Sequence, residues 1–334
     1  MANECETTVR ELGEEATLAR IFPRLPKSEW VVLGLGDDAA ILVAPDGRFA
    51  VTTDMFIHGP DFWLAWSTPH DIGWKSAASN LADIAAMGAR PTALLVALAV
   101  PAATPISTLE GIADGLRDSC AELAPGCGVV GGDLSVSSVM TITVTAFGDL
   151  DGRAAIRRSG AQEGDTVAVS GAVGHAARAL EFLFERGLNA EGVADAALCA
   201  DLRREYPSLT EPQLAPRPPI SDGVVAARAG ATAMLDVSDG FLHDAGRLAR
   251  ASAVSIDFDS ALVDIASGGI DTHTALRGGE DHALLATFPS GGVLPKGFRA
   301  TGVVLPGSGI TVDGKPYDNG GGWDPYSRWA GALG

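Results

Sequence analysis

Residues 68–88 read TPHDIGWKSAASNLADIAAMG, and the fold of the first half of the chain depends on this stretch. Thr68 is a good helix cap, Pro69 suits the first helical position, and no proline follows before Gly88, so the pattern predicts one long helix. Apolar residues surround most of this helix, which is typical of a buried helix. Its polar residues fall on one face at spacings of four and three: Ser76, Asn80 and Asp83. That face is either a narrow solvent-exposed stripe or part of a functional site, and we favour the second interpretation.

Predicted strands and helices alternate on both sides of this helix. Apolar and β-branched runs predict strands at 31–35, 39–43, 49–53, 94–100, 139–147, 166–170, 233–237, 254–258, 283–288 and 299–304. Helical spacing predicts further helices at 7–22, 106–123, 173–186 and 240–251. The order shows no regular β-α-β count, so we expect an α+β fold with mixed sheets covered by helices. Prolines crowd residues 207–219 and predict an extended, exposed crossing there.

The composition is that of a globular chain with enough apolar residues for two cores. Of 334 residues, 46% are hydrophobic and 20% are charged, which is too apolar for a disordered chain. The stretch from Asp149 to Gly152 is rich in turn-forming residues. We therefore predict an N-terminal domain at 1–150 and a C-terminal domain at 151–334.

The charge balance argues against several classes of partner. Lys and Arg total 24 against 42 Asp and Glu, and the formal net charge of -18 would repel a nucleic acid or an anionic bilayer. The longest apolar run, Ala93 to Ala103, is cut by Pro101 and is shorter than the roughly 18 residues that a membrane-spanning helix needs. Glutamates occupy the first residues, where a secretory signal would place basic and then apolar ones. We therefore expect a cytoplasmic protein with no nucleic-acid or membrane partner.

The candidate chemistry lies in acidic motifs, because the familiar nucleotide and zinc signatures are absent from the sequence. It contains no G-x-x-x-x-G-K-[ST], no G-x-G-x-x-G between a strand and a helix, and no H-E-x-x-H. Aspartates instead stand beside glycines or at predicted strand ends in apolar surroundings: GDD at 36–38, TTD at 52–54, GGD at 131–133, DVSDG at 236–240 and GGED at 278–281. In the fourth motif, Ser238 could cap the following helix while free backbone N–H groups meet a phosphate.

Divalent metal is the natural partner of these carboxylates. A carboxylate near a core is costly unless it is paired or bound to a cation, and basic residues are few in this chain. All-oxygen sites favour Mg²⁺ or Ca²⁺ over zinc, and several Mg²⁺ ions with a polyphosphate would use this many aspartates, Asp83 included. Turns and helix caps explain any one motif alone, but they explain all five less well. A structural calcium site is the weaker alternative, because the EF-hand spacing is absent.

Seven ordered strings resemble the thiamine-monophosphate kinase family, in the superfamily of aminoimidazole-ribonucleotide synthetase and selenophosphate synthetase. They are LGLGDDAA at 33–40, TTD at 52–54, NLADIAAMGA at 80–89, GGD at 131–133, RSG at 158–160, DVSDG at 236–240 and GGED at 278–281. One such string is a weak signal, whereas seven in the family's order over most of the chain are a strong one. The resemblance implies an aminoimidazole-ribonucleotide-synthetase-like fold, an N-terminal domain that pairs across a homodimer, and ATP bound in a cleft without a P-loop.

The resemblance also implies roles for individual residues. The implied Mg²⁺ ligands, direct or through water, are Asp38, Thr52, Thr53, Asp54, Asp83, Asp133, Asp236 and Asp239. Among these, Asp38, Asp133 and Asp239 are the implied catalytic residues. ATP contacts fall on Gly132, Asp133, Arg158 and Ser238, and acceptor contacts fall on Asp61, Glu280 and Trp323. Capping, a surface ion pair and ordinary packing remain the structural alternatives for Ser238, Arg158 and Trp323, respectively.

The chain departs from the family pattern in two places. The family commonly has a His-Phe pair seven residues after the TTD aspartate, whereas this chain has Asp61-Phe62, with a histidine earlier at His58. The loop around His175 also differs, because the family usually has a small polar residue at that position. Cys5 is not in the glycine-rich context of the reactive residue of selenophosphate synthetase, which argues against that relative.

The expected reaction moves the γ-phosphoryl group of ATP onto the phosphate of thiamine monophosphate, in line and with Mg²⁺. The nucleophile would be a phosphate oxygen that is already largely ionised, so no general base is required. One alternative is another ATP-dependent synthetase or ligase of the same superfamily. A second alternative is a nucleotide-binding module that has lost catalysis, which the departures at Asp61 and His175 motivate.

Overall fold

The computed structural model describes residues 7–35 and 39–317 of the chain. The predicted site residues Asp38 and Trp323 lie outside these described residues. The strands are β1 (Val31–Leu33), β2 (Ile41–Leu42), β3 (Ala50–Ile57), β4 (Arg90–Val100), β5 (Gly128–Val136), β6 (Thr141–Asp149), β7 (Thr166–Ser170), β8 (Ala233–Val237), β9 (Ser255–Phe258), β10 (Ala283–Phe288), β11 (Arg299–Leu305), β12 (Gly309–Val312) and β13 (Lys315–Pro316). The helices are α1 (Val9–Leu12), α2 (Glu14–Ile21), α3 (Pro69–Ala86), α4 (Ile106–Leu123), α5 (His175–Arg186), α6 (Ala196–Glu205), α7 (Glu211–Leu214), α8 (Ile220–Arg228), α9 (Phe241–Ser252), α10 (Ser260–Ser267) and α11 (Thr272–Arg277).

The first sheet has four strands in the order β3-β6-β4-β5. β6 is antiparallel to both of its neighbours, and β4 pairs with β5 in parallel. Along β6, Ile142, Val144 and Ala146 are fully buried and share one core with α3 and α4. We call this the inner face of the sheet; Thr143 and Thr145 lie on the opposite, outer face, because side chains alternate along a strand.

Helix α3 begins as its sequence predicts and is buried along nearly its whole length. The Thr68 side chain accepts a hydrogen bond from the backbone N–H of Asp71, and the Asp71 carboxylate accepts one from the Thr68 backbone. The core around α3 also contains Met234, Leu284 and Ala286 of the second sheet. Because α3 packs between the two sheets, it has apolar residues on nearly all sides, as expected for a buried helix.

The close approach of α3 and α4 depends on glycine. A Cβ atom added to Gly73 would lie 2.0 Å from the carbonyl oxygen of Ile112, and one added to Gly115 would lie 2.0 Å from the carbonyl oxygen of His70. Both distances are far inside van der Waals contact. The two helices therefore touch through their backbones at these positions, which fixes the position of α3 against the sheet.

We expect Gly73→Ala to destabilise the protein by about 3 kcal/mol or more, because the methyl group would force α3 and α4 apart. Urea or thermal unfolding of the purified protein measures the effect. Gly246→Ala is the matched control, because Gly246 also lies in a helix but its added Cβ would come no closer than 3.4 Å to any neighbouring atom. The control should be neutral or slightly stabilising, since alanine favours helix. Equal stability of the two variants would contradict the backbone contact.

The second sheet has seven strands in the order β13-β12-β9-β11-β7-β10-β8. All of its pairs are antiparallel except β9 with β12. A second core lies between this sheet and α9, with Phe241, Leu248 and Phe258 among its fully buried side chains. Among the described residues, no helix has both the length and the apolar character needed to cross a bilayer.

The predicted α+β class is confirmed, and most predicted elements are present with shifted ends. Helix 7–22 is two helices, α1 and α2, separated at Gly13, whose φ of 81° interrupts the helix. Strand β5 was not predicted, because its glycine pair resembles a turn. The prediction of an extended, exposed crossing at 207–219 is wrong: it contains a 3₁₀ turn and α7, and Leu214 is buried. Proline suits the first turn of a helix, and the prediction for residues 207–219 did not consider this.

Candidate functional site

The polar face of α3 lies against β3 on the inner face of the first sheet. Asp83 accepts a hydrogen bond of 2.7 Å from the Thr52 hydroxyl. The backbone N–H of Asp54 donates to the Asn80 side chain at 3.1 Å. Ser76 and Asn80 are fully buried. The alternative of a solvent-exposed stripe is therefore wrong, and Thr52, Asp54 and Asp83 form one polar surface.

The second sheet contributes Asp236 to the same region through His282. Asp236 lies near the end of β8, and antiparallel pairing with β10 places His282 beside it. His282 Nδ1 lies 3.1 Å from Asp236 Oδ2, and its Nε2 lies 2.8 Å from the Ser79 hydroxyl on α3. All three residues are buried. This histidine therefore links the second sheet to α3 and fixes the orientation of the Asp236 carboxylate.

Four aspartates from three elements influence one another, and we call them the carboxylate cluster: Asp54, Asp83, Asp236 and Asp239. Burial raises the pKa of Asp83 to about 7, and the charges of Asp236 and Asp54 add to the rise. Burial also raises the pKa of Asp54, with further contributions from Asp236 and Asp239. Burial alone would lower the pKa of His282, but its hydrogen bond to Asp236 and that residue's charge raise it above the ordinary value. Burial and mutual repulsion thus disfavour the ionised forms of Asp54 and Asp83, while the charge of His282 partly opposes this effect.

The donor atoms of the cluster are carboxylate oxygens, and the Thr52 hydroxyl lies beside them. Such oxygen ligands suit a hard divalent cation such as Mg²⁺. Within residues 7–35 and 39–317, no three Asp, Glu, His or Cys side chains are grouped closely enough to hold a metal ion together. Two cluster members are engaged by cationic or protonatable neighbours, Asp236 by His282 and Asp239 by Arg247 at 2.6 Å. Burial is the main cause of the raised pKa values of Asp54 and Asp83, and repulsion between the carboxylates adds to it, so a bound cation would relieve this repulsion.

The turn before α9 is held by Asp244, a residue that the sequence did not single out. Its Oδ2 accepts hydrogen bonds from the backbone N–H groups of Ser238, Asp239 and Gly240 at 3.0, 2.9 and 3.2 Å. Burial raises the pKa of Asp244 to about 6, although Arg247 opposes the rise. The prediction that Ser238 caps α9 and leaves these N–H groups free for a phosphate is wrong in this structure, because Asp244 takes them.

The GGED motif at 278–281 forms a strained turn beside the DVSDG motif. Glu280 has φ of 63°, in the left-handed region, and its backbone N–H donates to the Ser238 carbonyl at 2.9 Å. Asp281 accepts hydrogen bonds from the backbone N–H groups of Gly174 and Ala176, so it caps α5. Glu280 Oε2 lies 3.2 Å from Lys75 Nζ on α3. The motif therefore joins β10, α5 and α3 at the carboxylate cluster.

Asp61 lies close to this ion pair. Its Oδ2 accepts a hydrogen bond of 2.7 Å from the backbone N–H of Ile57. Burial raises the pKa of Asp61, while the charge of Glu280 adds to the rise and that of Lys75 opposes it. The structure thus brings Asp61 and Glu280, the two described members of the predicted acceptor site, into one region.

The remaining predicted ligands are elsewhere. One row of residues runs across the four strands on the outer face of the sheet: Met55, Thr143, Ala97 and Asp133. The Thr53 hydroxyl is hydrogen-bonded to Thr145 on that same outer face. Asp54 occupies the inner face. The Gly132–Asp133 segment of β5 also lies three strands from β3, a separation of about 14 Å. Asp133, Gly132 and Thr53 are therefore not joined to the carboxylate cluster within this chain.

Arg158 is exposed near the second sheet, and its carbonyl accepts a hydrogen bond of 2.9 Å from the Ser252 hydroxyl. Arg158 thus has a backbone contact with the end of α9. Its predicted role in ATP binding stays a prediction.

The chain is 41% identical over 332 residues to the thiamine-monophosphate kinase of Mycobacterium tuberculosis (strain ATCC 25618 / H37Rv), an alignment that covers 96% of this chain and 94% of that protein. The chain belongs to the thiamine-monophosphate kinase family. Residues 36–150 also match the family described as AIR synthase related protein, N-terminal domain.

Solved structures of the thiamine-monophosphate kinase family share the fold. The enzyme from Stenotrophomonas maltophilia K279a superposes with a TM-score of 0.73 at 32% identity, covering 91% of this chain and 96% of that one. A structure described as AaThiL complexed with AMPPCP and TMP superposes with a TM-score of 0.71 at 29% identity, covering 95% and 98%.

The sequence analysis did not identify several residues of the site. They are Lys75 and Gln213, which both donate to Glu280 Oε2, together with Asp244, Arg247 and His282. A lysine within the otherwise apolar α3 was a visible signal for Lys75, and His282 directly follows the GGED string. The other three carry no signal in the sequence alone, because their roles depend on contacts between separate elements.

Proposed function

We propose that the chain transfers the γ-phosphoryl group of ATP directly to the phosphate of thiamine monophosphate, giving thiamine diphosphate and ADP, with Mg²⁺ as the metal. The observation that carries this proposal is the carboxylate cluster, in which aspartates from both sheets and from α3 converge beside the predicted acceptor residues. Family membership supports the same reaction, as does the relative bound to AMPPCP, an ATP analogue, and TMP.

The carboxylate cluster would hold Mg²⁺ through its four aspartates, Asp54, Asp83, Asp236 and Asp239. Further proposed ligands are Asp38, Thr52, Thr53 and Asp133. Bound Mg²⁺ would neutralise the phosphates of both reactants and so let the two polyanions approach. Thr52 orients the Asp83 carboxylate, and His282 orients that of Asp236. The acceptor phosphate needs no base, because its second pKa is about 6. The protein's own task is to bind and align the two substrates.

We also propose that two copies pair through the outer face of the first sheet. Val51 and Met55 are exposed there by 55% and 58%, and exposed apolar side chains of this size favour burial against another surface. Asp133 shares the row of Met55 and faces away from Asp54 of its own chain. Pairing would place Asp133 of one copy against the other copy, and we propose that it contributes to that copy's metal site. The division into domains 1–150 and 151–334 is part of the same proposal.

Incubation of the purified protein with ATP, Mg²⁺ and thiamine monophosphate tests the reaction, with thiamine diphosphate as the measured product. Formation of thiamine diphosphate that stops on chelation of the metal supports the proposal. ADP release only with a different acceptor would favour the synthetase alternative. ATP binding without any product would identify a module that has lost catalysis.

Asp61→His tests the acceptor site by restoring the residue common in the family. We expect the KM for thiamine monophosphate to fall about threefold to tenfold, roughly 1 kcal/mol, because an imidazole replaces a carboxylate that repels an anionic substrate. Steady-state kinetics with varied thiamine monophosphate measure the change. Asp61→Asn is the control, since it removes the charge yet can still accept the hydrogen bond from Ile57. An unchanged KM in both variants would mean that Asp61 does not face the substrate.

A further inference from the structure

A buried lysine and a buried glutamine bind the same oxygen of Glu280. Lys75 on α3 is only 5% exposed, and its ammonium group lies 3.2 Å from Glu280 Oε2. Gln213 on α7 is only 7% exposed, and its Nε2 donates to that same Oε2. Two elements from different parts of the chain therefore converge on one carboxylate oxygen.

The other oxygen of Glu280 remains for a ligand. The Glu280 side chain is 37% exposed, although both of its bonding partners are almost fully buried. Within the part of the chain that the structure describes, Oε1 takes no hydrogen bond. Glu280 is also held in a left-handed backbone conformation, which non-glycine residues rarely adopt and which is often found at functional sites. The carboxylate is thus fixed through one oxygen and open through the other.

Gln213 contributes a feature that stability does not explain. An ionised carboxylate only accepts hydrogen bonds, so the amide nitrogen of Gln213 must face Glu280 and the amide oxygen must point elsewhere. That oxygen, Gln213 Oε1, is buried and has no hydrogen-bond partner among the described residues. A buried acceptor without a partner costs free energy. A leucine at this position would avoid that cost, so the glutamine is better explained by what it does to Glu280.

We propose that Lys75 and Gln213 are positioning residues that bind Glu280 Oε2 and thereby aim Oε1 at an N–H group of the acceptor substrate. The substrate class is a nitrogen heterocycle with an exocyclic amine, which donates to a carboxylate. This inference rests on the proposed function, because thiamine monophosphate carries an aminopyrimidine ring. This arrangement makes the site selective. An analogue that has a carbonyl in place of the amine offers no hydrogen-bond donor to Glu280 Oε1, so it is disfavoured.

The experiment compares thiamine monophosphate with oxythiamine monophosphate, in which a carbonyl group replaces the exocyclic amine. We expect the wild-type kcat/KM to favour thiamine monophosphate by at least about thirtyfold. In Gln213→Leu, the KM for thiamine monophosphate should rise about tenfold while kcat changes less than about threefold, and the preference over oxythiamine monophosphate should shrink. The KM for ATP should stay the same. The melting temperature should not fall, because the leucine removes an unpaired buried oxygen and Lys75 still binds Glu280.

Four further variants separate positioning from a merely structural role. Gln162→Leu should leave all of these values unchanged. Gln162 is the only other glutamine in the sequence, and it is exposed. Lys75→Arg should retain more acceptor affinity than Lys75→Met, because it keeps a cation next to Glu280. Gln213→Leu combined with Glu280→Gln should cost less than the sum of the single changes, since Gln213 acts through Glu280.

Two results would overturn the inference. One is a wild-type enzyme that forms product from both acceptors with equal kcat/KM. The other is a Gln213→Leu variant that loses activity through kcat and melting temperature while its preference between acceptors stays intact. A protein that makes no thiamine diphosphate at all would instead overturn the proposed function, so the two failures are distinguishable.

Discussion

Asp239→Asn and Asp133→Asn should each lower turnover by about three orders of magnitude, roughly 4 kcal/mol of lost transition-state stabilisation, while the fold is retained. Each change removes the charge of a proposed metal ligand. Asp239 also pairs with Arg247, but that arginine keeps its contact with Asp244, so the loss of stability should be small. The kcat for thiamine diphosphate formation at saturating Mg²⁺ measures the effect, and thermal unfolding measures the retention of the fold.

Asp201→Asn is the matched control for these two variants, because Asp201 is an exposed aspartate whose ion-pair partner is the exposed Arg204. It should keep wild-type turnover. Near-normal Mg²⁺-dependent turnover in both Asp239→Asn and Asp133→Asn would refute the assignment of the metal ligands.

Mixing the two inactive variants tests whether a site is shared between copies. If Asp133 serves the carboxylate cluster of a second copy, a mixed dimer contains one intact site, and remixed protein should recover up to about one-quarter of wild-type activity. If Asp133 and Asp239 act within one chain, mixing should restore nothing. The positions of Met55 and Asp133 on the outer face of the sheet lead us to expect recovery.

The sequence predicted the parts of the site that depend on local signals. Thr68 and Pro69 mark the start of α3, and the structure contains that cap. The DVSDG string correctly placed an aspartate at a strand end and another before a helix. Such features follow from a few neighbouring residues, because capping and strand alternation act over one or two turns of chain.

The parts that the sequence did not predict depend on strand register and on long-range packing. His282 meets Asp236 only because β10 pairs with β8 in one particular register. Lys75 and Glu280 are 205 residues apart, and no local pattern predicts that they pair. Register also places Thr53 and Asp54 on opposite faces of β3, which separates two neighbours that the TTD string presents as equivalent. Family resemblance predicted which residues form the site, and the sheet pairing shows which of those residues meet.

Asp83→Asn should make the metal-free protein more stable at pH 8 while it abolishes activity. Burial raises the pKa of Asp83 from 3.8 to about 7, so the folded state binds a proton that the unfolded state releases between these values. For a carboxyl group whose folded-state pKa is raised, stability falls as pH rises through this window. Asparagine resembles the protonated acid and avoids the loss, so we expect the variant to gain roughly 2 kcal/mol over the wild type at pH 8.

Urea unfolding in the presence of a chelator, at pH 5 and pH 8, measures this effect. The wild type should lose stability between the two pH values, because the raised pKa values of Asp54, Asp244 and His282 act in the same direction. Asp83→Asn should show a shallower decline. Asp118→Asn is the control: hydrogen bonds from His70 and Arg117 outweigh burial and lower the pKa of Asp118, so this variant should lose stability at both pH values and leave the decline between them unchanged. An identical decline in the wild type and in Asp83→Asn would show that folding does not disfavour ionisation of Asp83, and would contradict this account of the cluster.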